Sequence, residues 1–301
     1  MNVFWLMILP SFLIAGCVKK QHKPEETPTK GELLVLVTDS HEQIMNQETE
    51  EYTRLYPDAS VEVAGVSTRE AIVHFLNDSV KCICVDRQLN QEEVEVAKKA
   101  DLLFTENIIA EDALAVIVHA GNPIENISYQ DVKEIVSGEK NMWKNIPGRG
   151  PSGSIEVVLT GRNSGMYELL QRYFFHLSHE LFVTFLAKNQ QEVMAYVSSH
   201  PQAFGIVSIG AVRNNPPSVK VLGIESTNIM KERFAKPSQI NIYRSLYPMR
   251  YSLYLYTSTS STGVAAGFST FVRSMHGQKI IQNAGLVPVV IPNRVVQITT
   301  E

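Results

Sequence analysis

Short apolar runs alternate with amphipathic stretches over the first ninety or so residues, and this alternation limits the possible folds more than any other feature. Glu32-Leu33-Leu34-Val35-Leu36-Val37 reads as a buried strand. A helix is expected from about His41 to Leu55, ending before Pro57. Ser60 to Ala64 reads as a second strand, and Cys82 to Val85 as a third. Between them, Thr68 to Asn77 reads as a helix with apolar positions Ala71, Ile72, Phe75 and Leu76. Strand, helix, strand, helix, strand is the signature of an α/β protein, a sheet with helices on both faces.

A second unit is expected from Leu114-Ala115-Val116-Ile117-Val118. Ser128 is placed to cap a helix carrying Val132, Ile135 and Val136, and the glycine- and proline-containing stretch 137 to 154 reads as a loop. Ile155 to Leu159, Phe204 to Val207 and Ser252 to Tyr256 read as strands. Helices are expected from about Gly165 to Phe175, Gln191 to Ser199 and Val264 to Met275, with irregular apolar runs at the end.

The N-terminus has its own logic. An apolar run from Val3 to Gly16 is followed at once by Cys17, and Leu13-Ile14-Ala15-Gly16-Cys17 resembles a bacterial lipobox. The run is too short for a helix to span roughly 30 Å of hydrocarbon, and it suits a signal-peptide core with small residues before the cut. The usual basic start is missing, and an uncleaved anchor is the other reading. In either case the rest of the chain works outside the cytoplasm, tethered to a membrane. Residues 1–16 are expected as signal peptide, and residues 17–30, polar and proline-containing, as a lipid-anchored flexible tether from Cys17.

The remaining length suits two units, and 44% hydrophobic residues suffice for real cores. A formal net charge of −4 with no long basic run argues against nucleic acid. Cys82 and Cys84 lie on one face of a strand and read as small buried apolar side chains. His176 and His179 could share a helix face, but no matched ligands accompany them, so no metal site and no cofactor is expected.

Four places share one design, in which a strand ends, small polar residues follow and a helix is expected to begin. They are Thr38-Asp39-Ser40-His41, Gly65-Val66-Ser67-Thr68, Val85-Asp86-Arg87 and Arg162-Asn163-Ser164-Gly165. Free N–H groups and the positive end of the dipole face outward at a helix start. Several such corners meeting in a cleft would solvate an anion. Each corner alone reads more readily as a plain helix cap, and only the whole set and its order give the anion reading force. A hydrolase built on the adjacent Ser40-His41 is disfavoured, because neighbouring side chains at a strand end are expected to point apart and no Gly-x-Ser-x-Gly elbow is present.

From Leu33 to Arg294 the chain resembles the phosphate-binding extracytoplasmic solute-binding proteins of phosphate ABC importers, as a divergent member. Several segments carry the likeness: Glu51-Tyr52 to Tyr56-Pro57 with Val61-Glu62-Val63, and Ala110 to Val118 with Asn122-Pro123. Ser128 to Gly138 with Trp143, His200 to Ser208, Tyr247-Pro248 with Tyr254-Leu255-Tyr256, and Phe271-Val272 to Gly277-Gln278 with Gly285-Leu286-Val287-Pro288 complete it. The resemblance implies a two-lobed periplasmic-binding-protein fold of type II, each lobe a sheet flanked by helices, joined by two crossing segments. Residues 31–112 and 250–301 are expected to form lobe 1, and 113–249 lobe 2.

It also implies ligand positions. Ser40, Ser67, Asp86, Ser164 and Gly165 match family positions, with Asp86 as the carboxylate that accepts the proton of hydrogen phosphate. His41 and Thr68 adjoin them, and Arg87 or Arg162 could replace the family arginine, whose place falls near Thr160. Asp39 stands where glycine is usual, and Met166 replaces a threonine. The expected protein is a monomer that is not an enzyme. It is anchored through its N-terminal lipid on the periplasmic side or cell surface, and passes inorganic phosphate or a similar oxyanion to a membrane permease. The alternative is a relative that binds another small ligand, or a sensory or partner-docking lipoprotein.

Overall fold

The computed structural model describes residues 26–148, 150–212, 217–228, 233–259 and 262–290. The signal segment, Cys17 and residues 17–25 of the expected tether lie outside them. Strand β1 (Gly31–Thr38), helix α1 (Glu42–Leu55), β2 (Ala59–Val66), α2 (Thr68–Leu76), β3 (Cys82–Val85) and α3 (Gln91–Lys99) lead into the long β4 (Phe104–His119). Then follow β5 (Asn126–Ile127), α4 (Tyr129–Ser137), β6 (Glu156–Thr160), α5 (Gly165–Phe175), β7 (Phe185–Ala187), α6 (Gln190–Ser199) and β8 (Ala203–Ser208). The short α7 (Ile209–Val212), β9 (Val219–Val221), β10 (Gly223–Glu225), β11 (Phe234–Ala235) and α8 (Gln239–Tyr243) complete this half. The chain returns through β12 (Arg250–Ser258) to α9 (Val264–Val272), α10 (Met275–Asn283) and β13 (Val287–Pro288).

This is the two-lobed α/β fold. In lobe 1, β1 lies between parallel β2 and β3, and β12 runs antiparallel between β3 and the first part of β4. In lobe 2, Leu114–Val118 of β4 pair with β8, which pairs in parallel with β6 and so with β7. β4 and β12 are thus the two crossing segments. The core changes hands on β4: Ile109 and Ala110 pack into lobe 1, and Ala113 onward into lobe 2. β4 was legible only from Leu114 because its first half, with exposed Thr105, Glu106 and Ile108, lacks the continuous apolar run of a strand covered on both faces.

The chain already packs on lobe 1 before the expected Gly31. Thr27 to Lys30 form a tight turn against lobe 1, where the Tyr52 hydroxyl donates to the Pro28 carbonyl and Glu26 accepts from the Val264 N–H. The Pro28 carbonyl lies 2.0 Å from where a Cβ on Gly267 would stand, so α9 needs glycine there. The end of the chain also differs from expectation. Ser274 caps a separate helix, α10, whose Gln278 side chain is fully buried and donates to the Ile109 and Val272 carbonyls. A buried glutamine breaks the apolar pattern that would have announced this helix.

Candidate functional site

In each parallel βα unit the strand's carboxyl end and the next helix's start lie on one edge. That edge of lobe 1 gathers Thr38 from β1, Thr68 from α2 and Asp86 from β3. The Thr68 hydroxyl donates to Asp86 Oδ1 at 2.8 Å, and Thr38 Oγ1 lies 3.0 Å from Thr68 Oγ1. Thr68 has one proton and has given it to Asp86, so Thr38 is the donor in the second bond. Lobe 2 meets this row with the first residue of α5. A Cβ on Gly165 would stand 2.2 Å from Thr38 Cγ2, 2.9 Å from Thr68 Oγ1 and 3.3 Å from Asp86 Oδ2. Only glycine permits that approach, and it brings an α-helix N-terminus against the row of oxygens.

Asp86 is 4% exposed, and its Oδ2 has no hydrogen-bond partner among the described residues. Burial pushes the carboxyl up to about 6, against the lowering effect of the Thr68 bond. An ionised, half-paired carboxylate is costly here, so the site favours a proton on Oδ2 or a ligand that brings one. Asp39 reaches into the same corner. Its Oδ1 accepts from the Ser40 N–H at 2.8 Å. Burial raises its pKa, and the Ser40 and Gly165 amides and His41 oppose the rise.

The other expected residues fall into three groups. Ser67 and Ser164 cap α2 and α5, accepting from the N–H groups of Glu70 and Tyr167, and Ser164 also lies 2.6 Å from Thr160 Oγ1. Ser40 and His41 lie on the cleft wall. His41 is 3% exposed, with Nε2 2.9 Å from Asp112 Oδ2 and Nδ1 3.0 Å from Ser40 Oγ. Ser40 and His41 therefore do not point apart as expected. The same neighbour contact recurs at Ser178–His179 and Ser199–His200, so it is a local pairing and does not mark an activated nucleophile.

The arginines are the main correction. Arg87 forks onto Glu93 at 2.6 and 2.8 Å, and its Nε lies 3.4 Å from Glu168 Oε1 of lobe 2. Glu93 is held by its capping box with Asn90, a ready bidentate acceptor six residues on, so the fork is used within the protein. Arg162 is exposed and pairs with Glu180. Neither guanidinium enters the corner.

Sequence reasoning named Thr38 only as part of its corner and missed Asp112, Tyr251, Glu168 and Arg172. Asp112 receives His41 and the Tyr251 hydroxyl on Oδ2, and the Ala113 and Ile209 N–H groups on Oδ1. It ties the lobe 1 corner to the crossing strands and to α7. Its partners lie 71, 139 and 97 residues away, and no local pattern encodes them. Beside the corner opens a cavity of about 1150 Å³, with Asp39, Ser40, His41, Thr160, Met166 and Gln190 in its wall.

This architecture agrees with the comparisons. The PBP superfamily domain matches residues 23–275, and the chain belongs to that family. The phosphate-binding protein PstS of Pseudomonas aeruginosa is 23% identical over 274 residues, covering 86% of this chain and 83% of that protein. A candidate phosphate ABC transporter substrate-binding protein from Clostridium perfringens, solved with phosphate bound, superposes with a TM-score of 0.74. It is 21% identical, covering 86% of this chain and all of that one. An ABC-type phosphate transport receptor from Vibrio cholerae gives 0.68 at 22% identity, with 86% and 100% covered. The PBP superfamily is thus the chain's family, and the relatives and solved structures just named carry phosphate-binding or phosphate-transport names.

Proposed function

We propose that this protein captures inorganic phosphate between its lobes and delivers it to the membrane permease of an ABC importer. It works outside the cytoplasm, anchored by lipid on Cys17. One observation carries the reading: the unpartnered, buried Asp86 Oδ2 faces the first residue of α5, flanked by the Thr38 and Thr68 hydroxyls. Hydrogen phosphate offers a proton to that oxygen and oxygens to the backbone amides of the corner. Sulfate at neutral pH offers no proton. A site built around such a bond discriminates by about 10⁴–10⁵. No step of the proposal breaks a covalent bond, so the protein acts as a binder and not as an enzyme.

Calorimetric titration against phosphate, sulfate and molybdate tests this. One phosphate per chain and no heat from sulfate are expected. Saturable sulfate or molybdate binding without phosphate would assign another oxyanion, a reading that Asp39 and Met166 favour. No binding at all would point to a sensory or partner-docking lipoprotein. Anchoring has its own test: Cys17→Ala should leave the protein off the membrane fraction, and retention there would remove the lipid from the account.

A further inference from the structure

A line of polar side chains runs from the crossing strands to the cavity. Asp112 of β4 is fully buried and accepts four bonds. His41 Nε2 and the Tyr251 hydroxyl each lie 2.9 Å from Oδ2, and the Ala113 and Ile209 N–H groups donate to Oδ1. Four accepted bonds fill a carboxylate's lone pairs and leave no place for a proton of its own. Burial raises the Tyr251 hydroxyl well above its usual range, so it stays a donor. The proton between Asp112 and His41 therefore sits on Nε2. A neutral imidazole then has a bare Nδ1, and that nitrogen lies 3.0 Å from Ser40 Oγ. Ser40 gives its one proton to this bond. It lines the cavity of about 1150 Å³, and toward that space it has only lone pairs to offer. The serine–histidine contact recurs at Ser178–His179 and Ser199–His200, but among the described residues only His41 has a carboxylate on its other nitrogen.

We propose that His41, held by Asp112, sets whether Ser40 accepts or donates toward the cavity, and that a proton taken up by His41 from solvent turns Ser40 into a donor for the oxyanion. With both ring nitrogens protonated, Nδ1 donates to Ser40 Oγ, and the serine proton is freed to point into the cavity. His41 is thus a positioning residue that acts through Ser40. This assignment rests on the oxyanion reading above and adds to it one hydroxyl donor and one positive charge, both gained with the same proton. The ionisable groups around His41 are Asp112 on β4, Tyr251 on β12, Asp86 at the end of β3, and Asp39 and Glu42 on its own stretch of chain. Lys188 of lobe 2 shares the cavity wall.

Two measurements on the full chain in detergent test this. In long-range proton–nitrogen NMR spectra of the wild type without anion, above about pH 8, His41 should show a protonated Nε2 and a bare Nδ1. A proton on Nδ1 alone overturns the relay. The second measurement reads what Ser40 adds to phosphate affinity. Ser40→Ala should weaken binding about tenfold or more at about pH 6, where the hydroxyl donates to a charged group, and less than about threefold above about pH 8. His41→Gln keeps an amide N–H for Asp112 and releases Ser40, so in that background the Ser40→Ala loss should be the same at both pH values. Comparing losses cancels the titration of phosphate and of Asp86, which burial pushes up to about 6. An equal loss at both pH values with His41 in place overturns the switch. If no variant binds phosphate at either pH, phosphate falls as the cargo, and the His41 tautomer alone decides the relay.

Discussion

Asp86 and Arg87 are neighbours at the end of β3, and they go to opposite kinds of lobe-to-lobe contact. Arg87 joins Glu93 of lobe 1 to Glu168 and Arg172 of lobe 2, two cations against two anions. Asp86 accepts from the Thr68 hydroxyl, which accepts in turn from Thr38, and its free oxygen faces a glycine with no cation on it. The chain bends directly after β3 ends at Val85, and the two side chains leave that bend toward different partners. The difference shows that a charge-balanced cluster has nothing left to offer a ligand. The place to look for one is where donors and a carboxyl are brought together and left unmatched.

The comparison breaks most severely at Asp86. In Asp86→Asn, phosphate's preference over sulfate should fall by about a hundredfold or more, from the range expected of a site that needs one buried hydrogen bond. Competition calorimetry reads this, and unchanged preference would put the proton-accepting role elsewhere. The same variant has a pH signature. Burial raises Asp86 from 3.8 to about 6, so its protonated form is favoured in the folded chain. The stabilisation is complete below about pH 4 and is lost as pH rises through about 6. Asp86→Asn should flatten that part of the stability profile in urea unfolding.

Arg87 comes next. Arg87→Ala leaves Glu93 and Glu168 facing each other with less counter-charge, and removing one partner of a buried pair costs about 3–5 kcal/mol. The loss should appear in the urea midpoint, with the phosphate-to-sulfate preference kept. A lost preference would return the guanidinium to the ligand.

A third carboxyl sharpens the contrast. Glu48 lies on the buried stripe of α1, fully buried with no partner on either oxygen, and burial pushes it up to about 9. Stability tied to it is present below about pH 4.5 and is lost as pH rises through about 9. Glu48→Leu should therefore stabilise the protein at pH 8, by about 1–3 kcal/mol, without altering anion binding. Here burial alone shifts the carboxyl, with no amides gathered around it. The smallest effect belongs to Arg162→Ala. Its exposed pair with Glu180 should be worth about 0–1 kcal/mol in thermal melting, and phosphate affinity should not move.

Much of the scaffold could be read in advance where a local rule applies. β3 at Cys82–Val85 is an unbroken apolar run, and α5 at Gly165–Phe175 follows a serine that caps it. The corners were legible because small polar residues end strands. The direction in which their side chains point was not. Arg87 turns to Glu93 because α3's capping box presents that carboxylate, and α3 itself was not expected from the sequence. The Thr38–Thr68 bond spans 30 residues and His41–Asp112 spans 71, and each depends on which strands become neighbours in the sheet. Asp39 was visible as a departure from the glycine that is usual there. The influence of the Gly165 amide on its carboxyl arises only once the start of α5 is packed beside the end of β1.

The central claim is that the start of α5 and the free oxygen of Asp86 together hold the oxyanion. The most direct test is the amide resonance of Gly165 during a phosphate titration by NMR. The account predicts a saturable downfield shift of the Gly165 proton, absent with sulfate and weakened in Asp86→Asn. Saturable phosphate binding that leaves the Gly165 amide unmoved would contradict it.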